Sequence, residues 1–152
     1  MGAQSILTIG YEKVGFAAFL TALQDAEVET LIDVRELPNS RRAGFSKNML
    51  KANLAAAGIA YVHLKALGTP KAGRQASQRG DLKAFWPIVE AALTRPEARL
   101  ALEQAAVLAR ASRACLMCLE HDWKVCHRAH VCERLEEEYD LRAVHLAPEM
   151  ER

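Results

Sequence analysis

The last quarter of the chain carries a cluster of side chains that can do chemistry: Cys118, Glu120 and the run Cys126-His127-Arg128. We expect this run to open a helix, where unpaired N–H groups attract anions and make a thiol more acidic. The Cys126 thiol is therefore predicted to be a stronger acid than a free cysteine. His127 can exchange a proton near neutral pH, and Arg128 can hold a phosphate or carboxylate through two hydrogen bonds. Glu120 can take up a proton or pair with Arg128.

An alternative is that these charges only support the fold. Glu120, Arg128 and Asp33 can form a structural ion-pair network beneath a loop, because such networks perturb pKa values without any catalysis. Asp33 comes from a different part of the chain, at the end of a predicted strand. The candidate catalytic residues are Cys118, Glu120, Cys126, His127, Arg128 and Asp33.

The four cysteines also raise the question of a metal. A zinc site at Cys115-x-x-Cys118 is disfavoured, because residues three apart in a strand point to opposite faces. Cys126 and His130, four apart on a helix with His121 nearby, leave a structural zinc site as the alternative. We predict no metal site, and the sequence identifies no cofactor. The cysteines expected in the core are Cys115 and Cys132.

Apolar runs and helical periodicities alternate along the chain and predict the elements that position these residues. The predicted strands are residues 5–9, 30–34, 59–64, 113–119 and 142–146. The predicted helices are residues 16–23, 46–57, 81–93, 94–111 and 129–139. This alternation predicts one three-layer α/β domain over residues 1–152. Its mostly parallel sheet would have four or five strands with helices on both faces, a Rossmann-like or flavodoxin-like architecture.

Local signals mark where these elements begin and end. Ser46 is predicted to cap one helix and Thr94-x-x-Glu97 to form a capping box for another. Pro87 is expected to kink its helix or delay its start. The segment Gly68–Gly80 shows no periodicity and is predicted to be a loop.

Polar residues stand at or just past the ends of four predicted strands. In a parallel sheet these ends meet at one edge, where ligands bind. We therefore expect them to share a cleft. The residues are Gly10, Tyr11, Asp33, Arg35, His63, Cys118 and Glu120.

The net charge of +1 conceals a strong asymmetry. Between Leu37 and Gly80 there are eight Lys and Arg and no Asp or Glu, so the rest of the chain has a balance of −7. This basic segment indicates a surface that meets an anion, a small molecule or a nucleic acid, although a solvated face without a partner fits the same pattern. No apolar run is long enough for a membrane span, and the first residues lack a secretory pattern, so we expect a cytoplasmic protein.

The chain resembles the DUF488 family of small bacterial and archaeal proteins. The stretches that carry the resemblance are Thr8–Tyr11, Leu31–Arg35 with Pro38–Arg41 and Gly44–Ser46, Gly58–Leu64 with Leu67-Gly68, and Cys118–Glu120 with Cys126–Arg128. The resemblance implies a compact α/β domain with a shared polar site, and it supplies no reaction. The predicted ligand-binding residues are Gly10, Tyr11, Arg35, Ser40, Arg41, His63 and Gly68.

These patterns favour a domain that binds or processes an anionic ligand bearing a phosphate, a nucleotide or a nucleic acid. One alternative is a nucleic-acid-binding or metal-stabilised module without catalysis. Another is rhodanese-like chemistry at Cys118, because Leu31–Glu36 is similar to a stretch of rhodanese-like domains. Glu120 and Asp122 speak against that chemistry, since carboxylates do not belong in a cradle for an anionic sulfur. The oligomeric state is not determined.

Overall fold

A five-stranded, entirely parallel sheet forms the centre of the computed structural model, which describes residues 4–151. The strands lie in the order β3-β2-β4-β1-β5. All four neighbouring pairs are parallel. The strands are β1 (Gln4–Gly10), β2 (Thr30–Asp33), β3 (Ala60–His63), β4 (Ala114–Cys118) and β5 (Leu141–His145). The prediction of a mostly parallel sheet is confirmed.

Helices cover both faces of this sheet and make it a three-layer α/β fold. The helices are α1 (Phe16–Asp25), α2 (Lys47–Ala56), α3 (Lys71–Gln78), α4 (Leu82–Leu93), α5 (Pro96–Ala111) and α6 (Arg128–Tyr139). Buried residues of α1 and α2 share one apolar core with Cys115 of β4. Residues of the other four helices share a second core with Cys118. The expected opposite orientation of these two cysteines is therefore confirmed, because side chains alternate along a strand.

The connections leave a crevice at the carboxyl edge of the sheet. Helix α1 carries the chain from β1 to β2 across one face, whereas α6 carries it from β4 to β5 across the other face. Adjacent parallel strands whose connections depart to opposite faces leave a gap between the connecting loops, which is where ligands bind in such sheets. The ends of β1 and β4 meet at such a point.

The prediction of a loop over Gly68–Gly80 is wrong, because most of this segment forms α3. Pro70 stands at its N-cap, and Gly80, with φ of +73°, follows its last residues. A proline before and a glycine after a run of good helix formers is a helix signal. Burial of Ala76 and Gly73 against the neighbouring α4 then supplies the packing that a short helix needs.

The predicted helix caps differ in detail. Thr94 ends α4, and its hydroxyl donates to the carbonyl of Ala91, so the expected capping box does not form. Ser46 stands at the N-cap of α2, but its hydroxyl exchanges hydrogen bonds with Ser40 instead of the helix. Helix α4 begins at Leu82 and contains Pro87, so the proline does not delay its start.

None of the helices formed by residues 4–151 is both long and apolar enough to cross a membrane.

Candidate functional site

A cavity of about 310 Å³ opens at the carboxyl edge of the sheet. The segments that follow β1, β2 and β4 form one side of it, and α3 with the start of α4 forms the other. The residues that line it are Tyr11, Arg35, Glu36, Leu37, Asn39, Thr69, Arg74, Ser77, Gln78, Phe85, Cys118, Leu119, Glu120 and His127. Of the four strand ends at which the sequence predicted a cleft, those of β1, β2 and β4 therefore contribute residues to one cavity.

Arg35 is the most firmly held charged group in this cavity. Its Nε and Nη2 donate to the two carboxylate oxygens of Asp33 at 2.9 and 2.7 Å. Its Nη1 donates to the hydroxyl of Tyr11 at 3.2 Å. Burial alone would lower the pKa of Arg35, but the hydrogen bonds and charge of Asp33 outweigh it and raise the pKa above its ordinary value. The guanidinium is thus permanently charged and fixed in orientation.

Both carboxylate oxygens of Asp33 accept hydrogen bonds from groups of the protein. Asp33 is completely buried, and it also accepts hydrogen bonds from the Arg35 backbone N–H and from the Tyr61 hydroxyl. Burial and Asp33 both raise the pKa of Tyr61, so its hydroxyl keeps its proton and acts as a donor. Asp33 does not line the cavity. The structure therefore gives it the position of a support for Arg35, behind the wall that a ligand would touch.

The guanidinium of Arg35 retains donors for a ligand. An arginine side chain has five N–H hydrogens. Three are used in the bonds to Asp33 and Tyr11, which leaves two without a partner among the residues the structure describes. Tyr11 is in turn held in place by stacking on Phe45, with ring centroids 4.6 Å apart. Contacts with Asp33, Tyr11 and Phe45 thus fix this part of the cavity wall.

The loop between β4 and α6 reaches the cavity because of Gly10. A Cβ atom at Gly10 would lie 1.8 Å from the backbone oxygen of Glu120, so only glycine permits this close approach. Gly68 does the same for another segment, since its Cβ would lie 2.2 Å from the backbone nitrogen of Glu36. Both glycines were predicted to bind ligand. The structure gives them the position of packing residues that bring two cavity-lining segments close to the sheet edge.

Arg128 secures the same loop from behind. Its guanidinium donates to the backbone oxygens of Glu120 at 2.7 Å and His121 at 3.4 Å. It is 1 % exposed and forms no part of the cavity lining. No ion pair joins it to a carboxylate of residues 4–151, and its Nε and Nη1 have no hydrogen-bond partner there. The structure thus places Arg128 behind the cavity wall, where its guanidinium holds the backbone, and its predicted role as an anion ligand stays a prediction.

Cys118, Cys126 and His127 come together at the base of the cavity. The sulfurs of Cys118 and Cys126 are in disulfide contact, and the His127 Nδ1 lies 3.7 Å from the Cys126 Sγ. Cys118 also lies 3.6 Å from a carboxylate oxygen of Glu120. Cys126 is fully buried and is not among the residues that line this cavity, so a reagent that enters it meets Cys118 first. The candidate catalytic role of Cys126 stays a prediction, and its buried sulfur lies behind that of Cys118.

The protonation of His127 follows from its contacts. Its Nε2 lies 2.9 Å from the backbone oxygen of Val34, which can only accept, so this nitrogen carries the proton and Nδ1 presents a lone pair. Burial lowers the pKa of His127 to about 4, against the smaller effect of the Val34 carbonyl. His127 is therefore neutral at pH 7. It cannot serve there as the general acid that the sequence suggested.

Burial raises the pKa of Glu120 above its usual range, although its own backbone and Arg128 act in the opposite direction. Its predicted pairing with Arg128 is absent, because Arg128 binds the backbone oxygen of Glu120 instead. Burial also raises the pKa of Cys132 to about 12 and that of Cys115 above its ordinary value. Both of these thiols are buried, as predicted.

Three further predicted ligand residues lie outside the cavity lining. Ser40 is part of a turn with Ser46 and Arg42, and Arg41 is exposed. His63 contacts the backbone oxygen of Arg35 at 2.7 Å and so supports that residue from the side. Sequence reasoning missed the cavity wall formed by α3, which carries Arg74, Ser77 and Gln78. The helix signal of Pro70 and Gly80 could have revealed it.

The basic segment is less positive in the fold than in the sequence. Three of its arginines form ion pairs with acidic residues outside the segment. Arg74 pairs with Glu36 at 2.9 Å, Arg42 with Glu151 and Arg79 with Asp81. These ion pairs compensate part of the positive charge that suggested a nucleic-acid surface.

The zinc alternative at Cys126 and His130 does not form. The His130 ring stacks on Trp86 with centroids 4.6 Å apart, and its Nδ1 contacts the carboxylate of Glu90. His121, the third member of that alternative, contacts the backbone oxygen of Pro148. These two histidines are satisfied away from Cys126.

Comparisons with known proteins agree with the resemblance seen in the sequence. The family model described as a domain of unknown function, DUF488, matches residues 15–135. No curated protein and no solved structure matches the chain. The matched range contains every predicted site residue except Gly10 and Tyr11. The chain therefore belongs to the DUF488 family, for which the comparison gives a membership and no activity.

Proposed function

We propose that the chain binds a small molecule bearing a carboxylate or phosphate in the cavity and acts on it beside Cys118 and Glu120. The observation that carries the proposal is the state of Arg35, a firmly held guanidinium in the cavity wall with two N–H donors that have no partner among residues 4–151. Guanidinium groups bind carboxylates and phosphates through paired hydrogen bonds of this kind. Arg35 is thus the anchor for the anionic end of the ligand.

Thr69 supports the same proposal from the opposite wall. Thr69 lines the cavity, and its buried hydroxyl oxygen has no hydrogen-bond partner among the described residues. A buried hydroxyl without a partner loses free energy that a ligand can restore. Leu37, Phe85 and Leu119 add apolar walls. Apolar walls with a few directed polar groups are typical of small-molecule sites.

The size of the cavity favours a small molecule over a nucleic acid. A volume of about 310 Å³ lies at the lower end of the range for small-molecule pockets. Asp33 neutralises Arg35, so attraction here comes from directed hydrogen bonds and not from a strong positive field. Affinity should then depend weakly on salt, whereas binding along phosphates of a nucleic acid depends on salt steeply.

Rhodanese-like chemistry at Cys118 has less support. A persulfide carrier needs N–H donors around an anionic sulfur. Here the Cys118 sulfur faces a carboxylate oxygen of Glu120 at 3.6 Å and the sulfur of Cys126. The cytoplasmic location stays a prediction. In that reducing compartment the thiols of Cys118 and Cys126 would stay reduced.

Titration of the full chain with inorganic phosphate and with acetate, followed by NMR of the backbone amides, tests this function. We expect shifts at Tyr11, Thr69 and Leu119 at both low and high salt. Arg35→Lys should weaken binding by about tenfold or more, because a hydrogen bond to a charged group contributes about 1.5–3 kcal/mol. The matched control, Arg41→Lys, should bind as the unaltered chain does.

Thr69→Val keeps the test decisive if Arg35→Lys disturbs the fold. This variant leaves the pair of Asp33 and Arg35 intact and should still weaken binding. Shifts confined to α2 around Lys47 and Lys51, and abolished by salt, would instead indicate a nucleic-acid surface. No shift with either anion would end the proposal.

A further inference from the structure

Three groups able to bind a soft metal ion converge at the base of the cavity. The Sγ atoms of Cys118 and Cys126 and a ring nitrogen of His127 all lie within 4.8 Å of one another. Two thiolates and one imidazole form a ligand set that suits Zn²⁺. The spacing, seven residues between the cysteines and none before the histidine, matches no common zinc motif. Only the fold brings the three atoms to one point.

The orientation of His127 fits a metal ligand. Its Nε2–H donates to the backbone oxygen of Val34 at 2.9 Å, which turns the lone pair of Nδ1 toward the sulfur of Cys126. Histidines that bind metals donate their other ring N–H to a carbonyl or carboxylate in this way. Within residues 4–151, Nδ1 has no partner other than that sulfur. The ring is thus held in the tautomer that a metal requires.

The backbone around Cys126 also fits a thiolate. The N–H of Arg128 points to the Cys126 sulfur at 3.5 Å, an arrangement that stabilises negative charge on sulfur. The guanidinium of Arg128 lies buried in the same region without a carboxylate. Two thiolates and one divalent cation together have no net charge. A metal bound in this way would therefore not repel the buried guanidinium of Arg128.

The backbone separation of the two cysteines favours a metal over a permanent disulfide. Their Cα atoms are 7.7 Å apart. Disulfides usually span about 4.4–6.8 Å between Cα atoms. Thiolates on a tetrahedral zinc, with Zn–S bonds of about 2.3 Å, place their sulfurs about 3.8 Å apart and so suit a wider backbone separation.

We infer that Cys118, Cys126 and His127 form a three-residue Zn²⁺ site whose fourth coordination position faces the cavity. Cys118 and His127 line the cavity, whereas Cys126 closes the site from behind. Three protein ligands with one open position are typical of zinc sites that take part in chemistry. This inference does not rest on the proposed anion binding, because it uses none of the contacts of Arg35.

Cobalt substitution of the full chain tests the site. Protein purified under reducing conditions and freed of metal is titrated with Co²⁺ and followed by absorption. We expect one equivalent to bind, with the visible bands of tetrahedral cobalt and a thiolate-to-cobalt charge-transfer band. Cys118→Ser, Cys126→Ser and His127→Gln should each weaken binding by more than about tenfold, since even partners outside the ligand set contribute that much. Cys132→Ser, a buried cysteine outside the trio, should bind normally.

If a variant fails to fold, alkylation of the unaltered chain tests the same zinc site without any substitution. Bound Zn²⁺ should protect Cys118 from iodoacetamide, and a chelator should remove the protection. Unchanged cobalt spectra in the three ligand variants would overturn the site. So would an unaltered, reduced chain that binds no cobalt, or whose Cys118 labels equally fast with and without zinc. Arg35→Lys should keep the cobalt spectrum while losing phosphate affinity, so failure of one proposal is distinguishable from failure of the other.

Discussion

Two buried arginines near the cavity are held in opposite ways: Arg35 lines it, and Arg128 lies behind its wall. Arg35 is 7 % exposed and forms a two-point ion pair with the fully buried Asp33. Arg128 is 1 % exposed and is held only by backbone oxygens, through Nη2. Two of its nitrogens have no partner among residues 4–151.

The difference shows that a buried arginine behaves differently when it is paired with a carboxylate and when it is not. A buried arginine with its own carboxylate is neutralised and rigid, so its remaining donors can serve a ligand. A buried arginine without a carboxylate lowers the stability of the fold unless other polar groups form hydrogen bonds with its guanidinium. Burial accordingly lowers the pKa of Arg128, whereas Asp33 keeps that of Arg35 high. The groups that contact the Arg128 guanidinium are the backbone oxygens of Glu120 and His121.

The largest expected effect comes from breaking the pair at Arg35. Asp33→Asn should lower the free energy of unfolding by about 3–5 kcal/mol, because it leaves a buried guanidinium without its carboxylate. Urea denaturation followed by circular dichroism measures this. Glu36→Gln is the matched control, since its partner Arg74 is about a third exposed and the loss there should stay below about 1 kcal/mol. Equal losses in the two variants would contradict the comparison.

A smaller effect should follow from removing the other guanidinium. Arg128→Met keeps much of the side-chain volume but leaves the backbone oxygen of Glu120 without its donor. We expect a loss of about 1–3 kcal/mol in the same urea assay, the range for one buried group left unsatisfied. Arg99→Met, at an exposed position, should change nothing measurable. A loss as large as that of Asp33→Asn would mean that Arg128 has a charged partner.

The smallest effect is expected at an exposed carboxylate. Glu90 accepts hydrogen bonds from His130 and Arg134 on the surface between α4 and α6. Burial raises the pKa of Glu90, but these two donors outweigh it and hold the pKa below its ordinary value of 4.5. Its contribution to stability is thus present above pH 4.5 and is lost as the pH falls through the lowered pKa.

Comparison of Glu90→Gln with the unaltered chain at several pH values measures that contribution. Because Glu90 is 40 % exposed, solvent screening should limit the difference at pH 7 to about 1 kcal/mol or less. The difference should shrink below pH 4.5. A difference that grows with acidity would show that the sign of the pKa shift is wrong.

Much of the sheet and of the helices that cover it could be predicted from local sequence. Apolar runs located all five strands, and the period of two along β4 separated Cys115 from Cys118. The missed helix α3 shows where the approach weakens, since its only buried residues are Gly73 and Ala76 and it lacks an apolar stripe. The prediction of polar groups at the strand ends located the cavity but not its second wall.

Individual roles at the site were predicted less well than its location. Asp33, Gly10 and Arg128 were selected for their residue type and position, and none of them is among the residues that line the cavity. Type and spacing show that a charge or a glycine stands at a strand end. They do not show whether its partner is a ligand, a neighbouring side chain or the backbone of another loop.

The sequence by itself determined the contacts between neighbours in the chain. Asp33 and Arg35 are two residues apart, so the extended backbone after β2 directs both side chains to the same side, where they meet. The tertiary structure alone decided the contacts between distant segments. His127 meets the carbonyl of Val34 across 93 residues, and that bond sets its tautomer. The position of Cys118 beside Cys126 likewise depends on the glycine-permitted approach of the loop to Gly10, because such contacts exist only after strands from distant parts of the chain have paired.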